Sequence, residues 1–332
     1  MEKAFNVSKI SFGTSIFNGW HNPVEKHWPL EAVTRALDLG INEFDTSPYY
    51  GRSEEILGTI LNSLRTRYPR SSYYLSTKVG RYGPNKEDFD YSSKRVRESV
   101  EESCRRLNTN YFDVVYCHDV EFVSLEDVVG EGGALKELFR LKQEGKIKYV
   151  GISGYPLDVL IRISQIQYDR GQPVDVVLSY SHYCLHNTCL SSCINIFHSL
   201  GVIYVMNASP LSMGLLREAP APDWHPAPPE LREAASKCAM LAQKEGLKLS
   251  HLAIQFALEY EEVKSTIIGF SNAKEVEEGI ECLSRMSRRK INEKAGVIEG
   301  EDEKYKKEQI VINMIRKYMK SWDKWSWRSP PE

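Results

Sequence analysis

A chain of 332 residues is long for one average domain, yet it falls inside the range that a single α/β barrel occupies, so length alone does not demand two domains. With 42% hydrophobic and 27% charged residues and a formal net charge of −2, the composition is that of an ordinary soluble protein and carries no electrostatic footprint for nucleic acid or an anionic membrane. The seven cysteines are odd in number and form no C-x-x-C pair, residues 1–12 contain no apolar leader, and no stretch approaches the roughly 20 apolar residues of a membrane helix. These features lead to the expectation of a cytoplasmic protein with reduced thiols, working on small molecules; no motif speaks to its oligomeric state.

Short apolar runs alternate with helical patterns from end to end, the signature of repeated βα units and a parallel sheet. In chain order the predicted strands are Val7–Gly13, Asn42–Thr46, Tyr73–Val79, Phe112–Asp119, Ile147–Ser153, Asp175–Tyr180, Val202–Ala208 and Val263–Gly269. After the third of these, Ser92 or Ser93 caps a helix whose apolar positions Val96, Val100, Cys104 and Leu107 recur at helical spacing. Beyond the seventh strand a proline-rich stretch, Pro220 to Pro229, precedes two helical patterns, Pro229–Glu245 and Ser250–Tyr260, which fit additional helix on a long loop at a barrel mouth. Val276, Ile280 and Leu283 mark the helix after the eighth strand.

Eight such units predict closure into a (β/α)8 TIM barrel spanning residues 1–283; an open doubly wound sheet lacks support, because no G-x-G-x-x-G follows the first strand. The remainder, 284–332, reads as a charged, mobile linker to about Lys307 and then a C-terminal helical tail with Val311, Ile315, Tyr318 and Trp322 on one stripe. Trp322, Trp325 and Trp327 close the chain, and indoles in such a tail want a surface to cover; the barrel mouth is the expected one.

An active site in such a barrel is made at the C-terminal ends of the strands. Asp45 ends the second strand, Tyr50 follows in its loop, Lys78 ends the third, and His118 ends the fourth. The four types are chemically coherent. A phenol with a reference pKa of about 10 is a poor base at neutral pH, so it requires a nearby ammonium to favour its ionised form, and that ammonium requires a carboxylate to hold it. A neutral imidazole then hydrogen-bonds the substrate oxygen. Such a set passes a proton to a carbonyl, or takes one from a hydroxyl, while hydride moves to or from a nicotinamide. Cys184, His186, Cys189 and Cys193 lie within ten residues, but their spacing is not that of a zinc ribbon or finger and no metal is expected; Gly130 to Gly133 reads as a loop.

The motifs SFGTS, GINEFDTSPYYGRSEEILG, the STK of Ser76 to Lys78, KQEGKIKYVGIS, ASPLSMGLL and IIGFSNAKEVEEGI resemble the aldo-keto reductases over nearly the whole chain to about Leu283. The resemblance implies that the family's tetrad falls on Asp45, Tyr50, Lys78 and His118, with Tyr50 preferred to Tyr49 because the family's tyrosine directly precedes the glycine. It also implies cofactor contacts at Gly13, Thr14, Ser153, Ser209, Leu211, Ser271 and Glu275. Ala208 departs from the pattern, since many members carry a tyrosine there to stack on the nicotinamide, and so does Gly154, where aldehyde reductases often have Asn.

Within the family DTSPYYG, CHDVEF, GISGYPLD, LSYSHY and WHPAPPELREAASK are similar to the aldose 1-dehydrogenase branch of fungi and plants, which acts on D-arabinose, L-galactose or L-fucose. The implied reaction oxidises the anomeric carbon of the sugar to a lactone with Tyr50 as base. NAD is the implied cofactor and NADP the weaker one, because Glu275 stands where NADPH-linked members commonly place an arginine; its neighbour Lys274 is expected to point outward. An NADPH-dependent aldehyde or ketone reductase and a non-catalytic regulatory subunit on the same fold are the competing readings.

Overall fold

A computed structural model describes residues 5–18, 25–295 and 303–329, with the side chains of 287–295 outside the described set. Eight parallel strands, β1 (Ile10–Gly13), β2 (Glu43–Asp45), β3 (Tyr74–Val79), β4 (Phe112–Cys117), β5 (Ile147–Gly154), β6 (Val176–Tyr180), β7 (Tyr204–Ala208) and β8 (Ser265–Gly269), close in sequence order into a barrel, with β1 bonded to both β2 and β8. The (β/α)8 barrel expected from the sequence is therefore the fold. Seven strands lie within the predicted runs, trimmed at their ends, and β5 extends one residue further, to Gly154.

The period-two alternation of the strands sorts their residues into two cores. Val115, Cys117, Val150, Ile152, Val177, Val205 and Ile268 point outward into a shell shared with the helices. Val114, Tyr116, Val176, Leu178, Met206 and Ile267 point inward, and Phe5 closes the N-terminal end of the barrel against Tyr74, Tyr149 and Tyr204 at centroid distances of 4.8, 5.3 and 5.2 Å. Tyr116 fills the barrel axis because β5 has a glycine opposite it: a Cβ at Gly151 would lie 2.5 Å from the Tyr116 ring. Its lower half is packed by side chains, and a cavity opens at the other end.

The helix Ser93–Arg106 shows how local sequence sets the shell. Ser92 supplies the cap, its hydroxyl accepting from the Arg95 N–H, and Val96 and Val100 are fully buried. Each such valine contributes about 1.5–3 kcal/mol relative to an exposed position. The two helices after β7 are Pro229–Lys244 and Leu249–Leu258, close to the expected bounds.

The C-terminal part departs from expectation. The helix beginning at Ala273 runs on to Ala295, and the next begins at Glu303, so 284–295 and 303–307 are helical rather than linker; residues 296–302 lie outside the described set. The charges that made this stretch read as mobile are in part paired. Arg285 donates to Glu308 at 2.9 Å and to the His251 ring at 2.8 Å, and Glu308 is fully buried. The tail helix Glu303–Tyr318 buries Val311, Ile312 and Ile315, with Met319 just beyond it, against Leu231, Cys238, Leu249 and Leu252, while Tyr318 faces solvent at 49% exposure, so the apolar stripe is rotated from the one expected through Tyr318.

Candidate active site

The C-terminal ends of β2, β3 and β4 lie side by side, and this adjacency brings Asp45, Lys78 and His118 to one wall of the barrel mouth. The end of β2 is pinned by Thr14, whose N–H and hydroxyl both donate to the Asp45 carbonyl at 2.9 and 3.0 Å. The turn that follows is held by Ser47: its carbonyl accepts from the Tyr50 N–H at 3.0 Å and its hydroxyl oxygen from the Tyr49 N–H at 3.1 Å. This turn sets Tyr50 over Lys78, with the ammonium 4.8 Å from the ring centroid and within hydrogen-bonding reach of the phenol.

Lys78 is almost wholly buried and donates to Asp45 at 2.5 Å and to the Thr46 carbonyl at 2.9 Å. Burial works against its charge, but the Asp45 carboxylate prevails and raises its pKa. One layer below, Glu43 also points into the barrel, hydrogen-bonded by the Ser76 hydroxyl. Two carboxyls and one ammonium share this space. Asp45 holds the ammonium, and burial together with the Asp45 charge pushes Glu43 up to about 7.

The phenol behaves differently from the expectation of a lowered pKa. Burial pushes Tyr50 up to about 12, with Lys78 pulling the other way and losing, so Tyr50 keeps its proton at neutral pH. His118 is driven down to about 3, first by burial and then by the nearby cations Lys78 and Arg81, against the opposing pull of Asp119, and is therefore neutral. Ser47 Oγ, which accepts from the Tyr49 N–H, lies 3.3 Å from His118 Nδ1, and its free hydroxyl proton fits the tautomer that carries the imidazole N–H on Nε2. Tyr49 is otherwise engaged, its hydroxyl accepting from Arg81 at 3.1 Å.

From this wall a cavity of about 1150 Å³ extends to the N-terminus of the helix Ala273–Ala295. Of the residues expected to contact the cofactor, Gly13, Ser153, Ser209, Leu211, Ser271 and Glu275 line it. Thr14 does not; its hydroxyl is used internally, donating to Asp45 and accepting from Ser53 at 2.6 Å. Lys274 was expected to point outward and instead lines the rim beside Glu275. Glu275 also caps its helix, accepting from the Ser271 N–H at 2.7 Å while its own N–H donates to Asn272 at 3.1 Å.

Arg81, Asp119 and Tyr180 are among the lining residues that the sequence did not single out. Arg81 and Asp119 lie just past strand ends, so the rule that found His118 was signal enough for them. Among the described residues no group of three or more His, Cys, Asp or Glu side chains could hold a metal ion, and all seven cysteines are free.

Residues 9–295 match the model of the aldo/keto reductase family. The chain belongs to that family. It is 42% identical over 284 residues to L-galactose dehydrogenase of Arabidopsis thaliana, covering 84% of this chain and 85% of the plant protein. It is also 41% identical over 278 residues to D-arabinose 1-dehydrogenase of Saccharomyces cerevisiae, covering 82% and 81%. A solved structure from Pseudomonas aeruginosa superposes with a TM-score of 0.57 over 83% of this chain and 92% of its own length at 23% identity, a likeness of fold alone. The aldo/keto reductase assignment makes the chain an oxidoreductase of a class that uses nicotinamide cofactors.

Proposed function

We propose that the protein is an NAD-dependent aldose 1-dehydrogenase that oxidises the anomeric carbon of D-arabinose or a related sugar, such as L-galactose or L-fucose, to the lactone. The observation that carries the reading is the convergence of a phenol, a lysine held by a carboxylate and an imidazole on one wall of a long cavity. Its substrate class is supported by two relatives named as sugar dehydrogenases.

The cavity suits a dinucleotide. Ser153 presents a buried hydroxyl oxygen with no protein partner, fitting an amide such as that of nicotinamide. Ser209, Ser212 and Met213 adopt positive φ of 58, 48 and 52°, forming a tight loop along the wall, and the N-terminus of the helix Ala273–Ala295 suits the anionic part of the cofactor. When bound, an oxidised nicotinamide supplies the hydride acceptor. The chain's own residues then handle the proton: Tyr50 takes it from the anomeric hydroxyl, Lys78 stabilises the phenolate required for that step, Asp45 holds Lys78, and His118 donates its Nε2–H to the reacting oxygen.

The test is a panel of D-arabinose, L-galactose, L-fucose and D-glucose with NAD and with NADP, followed by nicotinamide absorbance. The reading expects oxidation of the first three with NAD at rates well above D-glucose. Reduction of simple aldehydes with NADPH and no sugar oxidation would establish a carbonyl reductase instead, and dinucleotide binding without turnover a regulatory subunit.

A further inference from the structure

We infer that Asp119, positioned by Arg81, selects substrates carrying a hydroxyl on the carbon next to the one oxidised. This rests on the aldose dehydrogenase reading of the same site and assigns a residue to the recognition of the sugar beyond its reacting oxygen.

Asp119 follows His118 in the chain with φ 44° and ψ 55°, a left-handed conformation that few residues besides glycine, asparagine and aspartate adopt. That conformation is held from behind. The Tyr91 hydroxyl donates to the carbonyls of both His118 and Asp119, the latter at 3.2 Å, and the Tyr91 ring reaches them across Gly80, where a Cβ would lie 2.4 Å from the ring. The carboxylate is consequently set beside the imidazole: Asp119 Oδ1 is 3.6 Å from His118 Nε2, too far for a hydrogen bond, and both residues line the cavity.

The other oxygen is committed. Asp119 Oδ2 accepts from Arg81 Nη1 at 2.6 Å, and Arg81 is itself clamped, its guanidinium 4.0 Å from the Tyr49 centroid, 4.8 Å from Phe122 and 5.1 Å from Phe89, with a further hydrogen bond to Tyr49. A charged pair this enclosed is costly to desolvate, and it does not serve the proton transfer, which runs through Tyr50 and Lys78. What it does provide is a fixed acceptor, Oδ1, next to the donor Nε2. Two oxygens on adjacent carbons can use these atoms together, the reacting one accepting from His118 and its neighbour donating to Asp119. A substrate without the second hydroxyl covers the carboxylate and leaves it unpaired, the situation in which polar sites discriminate most strongly.

The matched probe is 2-deoxy-D-ribose, which is D-arabinose lacking its 2-hydroxyl. In the wild-type enzyme kcat/KM for D-arabinose should exceed that for the deoxy sugar by about tenfold to a hundredfold, the range of a hydrogen bond to a charged group. Asp119→Asn should lower the D-arabinose value by a larger factor than that for the deoxy sugar, bringing the ratio towards unity. Arg81→Lys, which keeps the charge but loses the planar fork, should raise KM for D-arabinose more than it lowers kcat, again with the smaller effect on the deoxy sugar. Equal kcat/KM for both sugars in the wild type overturns the assignment of Asp119 while leaving the dehydrogenase reading intact. Loss of both activities in parallel in every variant that folds marks a purely structural role and also overturns it. Oxidation of neither sugar by the wild type overturns the dehydrogenase reading itself.

Discussion

The Trp327 indole lies face to face on the Tyr155 ring, with centroids 4.0 Å apart and planes inclined by 17°. Tyr155 follows β5 and passes the contact inward, 4.4 Å from the His182 ring and 5.3 Å from Tyr180 on the cavity wall. Around this stack the tail is fastened by hydrogen bonds from Asn187 to the Trp325 carbonyl at 3.1 Å, from Ser326 to the Tyr155 hydroxyl at 3.0 Å and from Ser329 to Glu121 at 2.9 Å. The end of the chain thus rests on the loops after β4, β5 and β6. Trp327→Ala should remove an aromatic pair worth about 0.5–1.5 kcal/mol, lower the melting temperature by about 1–3 °C, and raise KM for the sugar severalfold with KM for NAD unchanged. Steady-state kinetics in both substrates and a thermal melt check this; unchanged sugar KM would confine the tail to a role in stability.

Tyr50→Phe should reduce sugar oxidation by about 10²–10⁴-fold and leave dinucleotide binding nearly unchanged, because it deletes one oxygen and little contact area. Tyr49→Phe should be milder, since its hydroxyl serves Arg81 rather than Lys78. Because burial places Tyr50 at about 12, the phenolate fraction grows about tenfold per unit between pH 7 and 10, and the oxidation rate should climb over that window as long as proton removal limits it. Lys78→Met should depress the whole profile and shift its rise to higher pH. A pH-rate profile of each variant tests the set, and a normal Tyr50→Phe enzyme beside an inactive Tyr49→Phe one would reverse their roles.

Glu43 makes stability depend on pH. Its carboxyl is raised from the ordinary 4.5 to about 7 by burial and by Asp45, so the folded chain holds a proton that the unfolded chain releases above pH 4.5. The sign is therefore a contribution that is whole below pH 4.5 and lost as pH rises through 7, amounting to roughly 3 kcal/mol for about two and a half pKa units. Glu43→Gln, neutral at every pH, should flatten the dependence and be the more stable form at pH 8 relative to pH 5. Denaturant titrations at the two pH values measure it; parallel curves for the two proteins would mean that Glu43 does not titrate in this range.

Cofactor choice is expected to turn on Glu275. Glu275 lines the rim, and with the cofactor placed as proposed its carboxylate would repel a phosphate on the adenosine ribose by about 1–2 kcal/mol after solvent screening, close to tenfold in affinity. Lys274 lines the same rim and opposes it, so the preference should be moderate. Because Glu275 also caps its helix, Glu275→Gln is the informative change: the amide oxygen still accepts from Ser271, and what is lost is the charge and the hydrogen bond accepted from Asn272 Nδ2. The ratio of kcat/KM for NAD over NADP should fall several-fold in that variant. Glu275→Arg should narrow or invert the ratio at the expense of about 1 kcal/mol of stability from the lost cap. A wild type that prefers NADP, or a ratio insensitive to both changes, would assign selection to another residue.

The strands were legible because a parallel barrel buries both faces of each strand, leaving short apolar runs such as Phe112–Cys117 that stand out between amphipathic helices. Asp45, Lys78 and His118 were legible for a related reason: polar residues closing apolar strands are conspicuous, and consecutive strands of a barrel are neighbours, so three strand ends in succession must converge. The sequence by itself therefore determined the barrel, its open end and the side chains that meet there.

Only the tertiary structure decided how those groups are charged and partnered. That Tyr50 holds its proton follows from how deeply burial outweighs one ammonium, which no spacing encodes. Arg81 meets Asp119 38 positions away, and Arg285 meets Glu308 across 23, turning an apparent linker into paired helices; Thr14 spends its hydroxyl on Asp45 instead of the cavity. Long polar side chains have many rotamers and several reachable partners, so their pairing is selected by the closed, desolvated geometry of the fold, whereas apolar residues need only a face, which the period of the sequence already specifies.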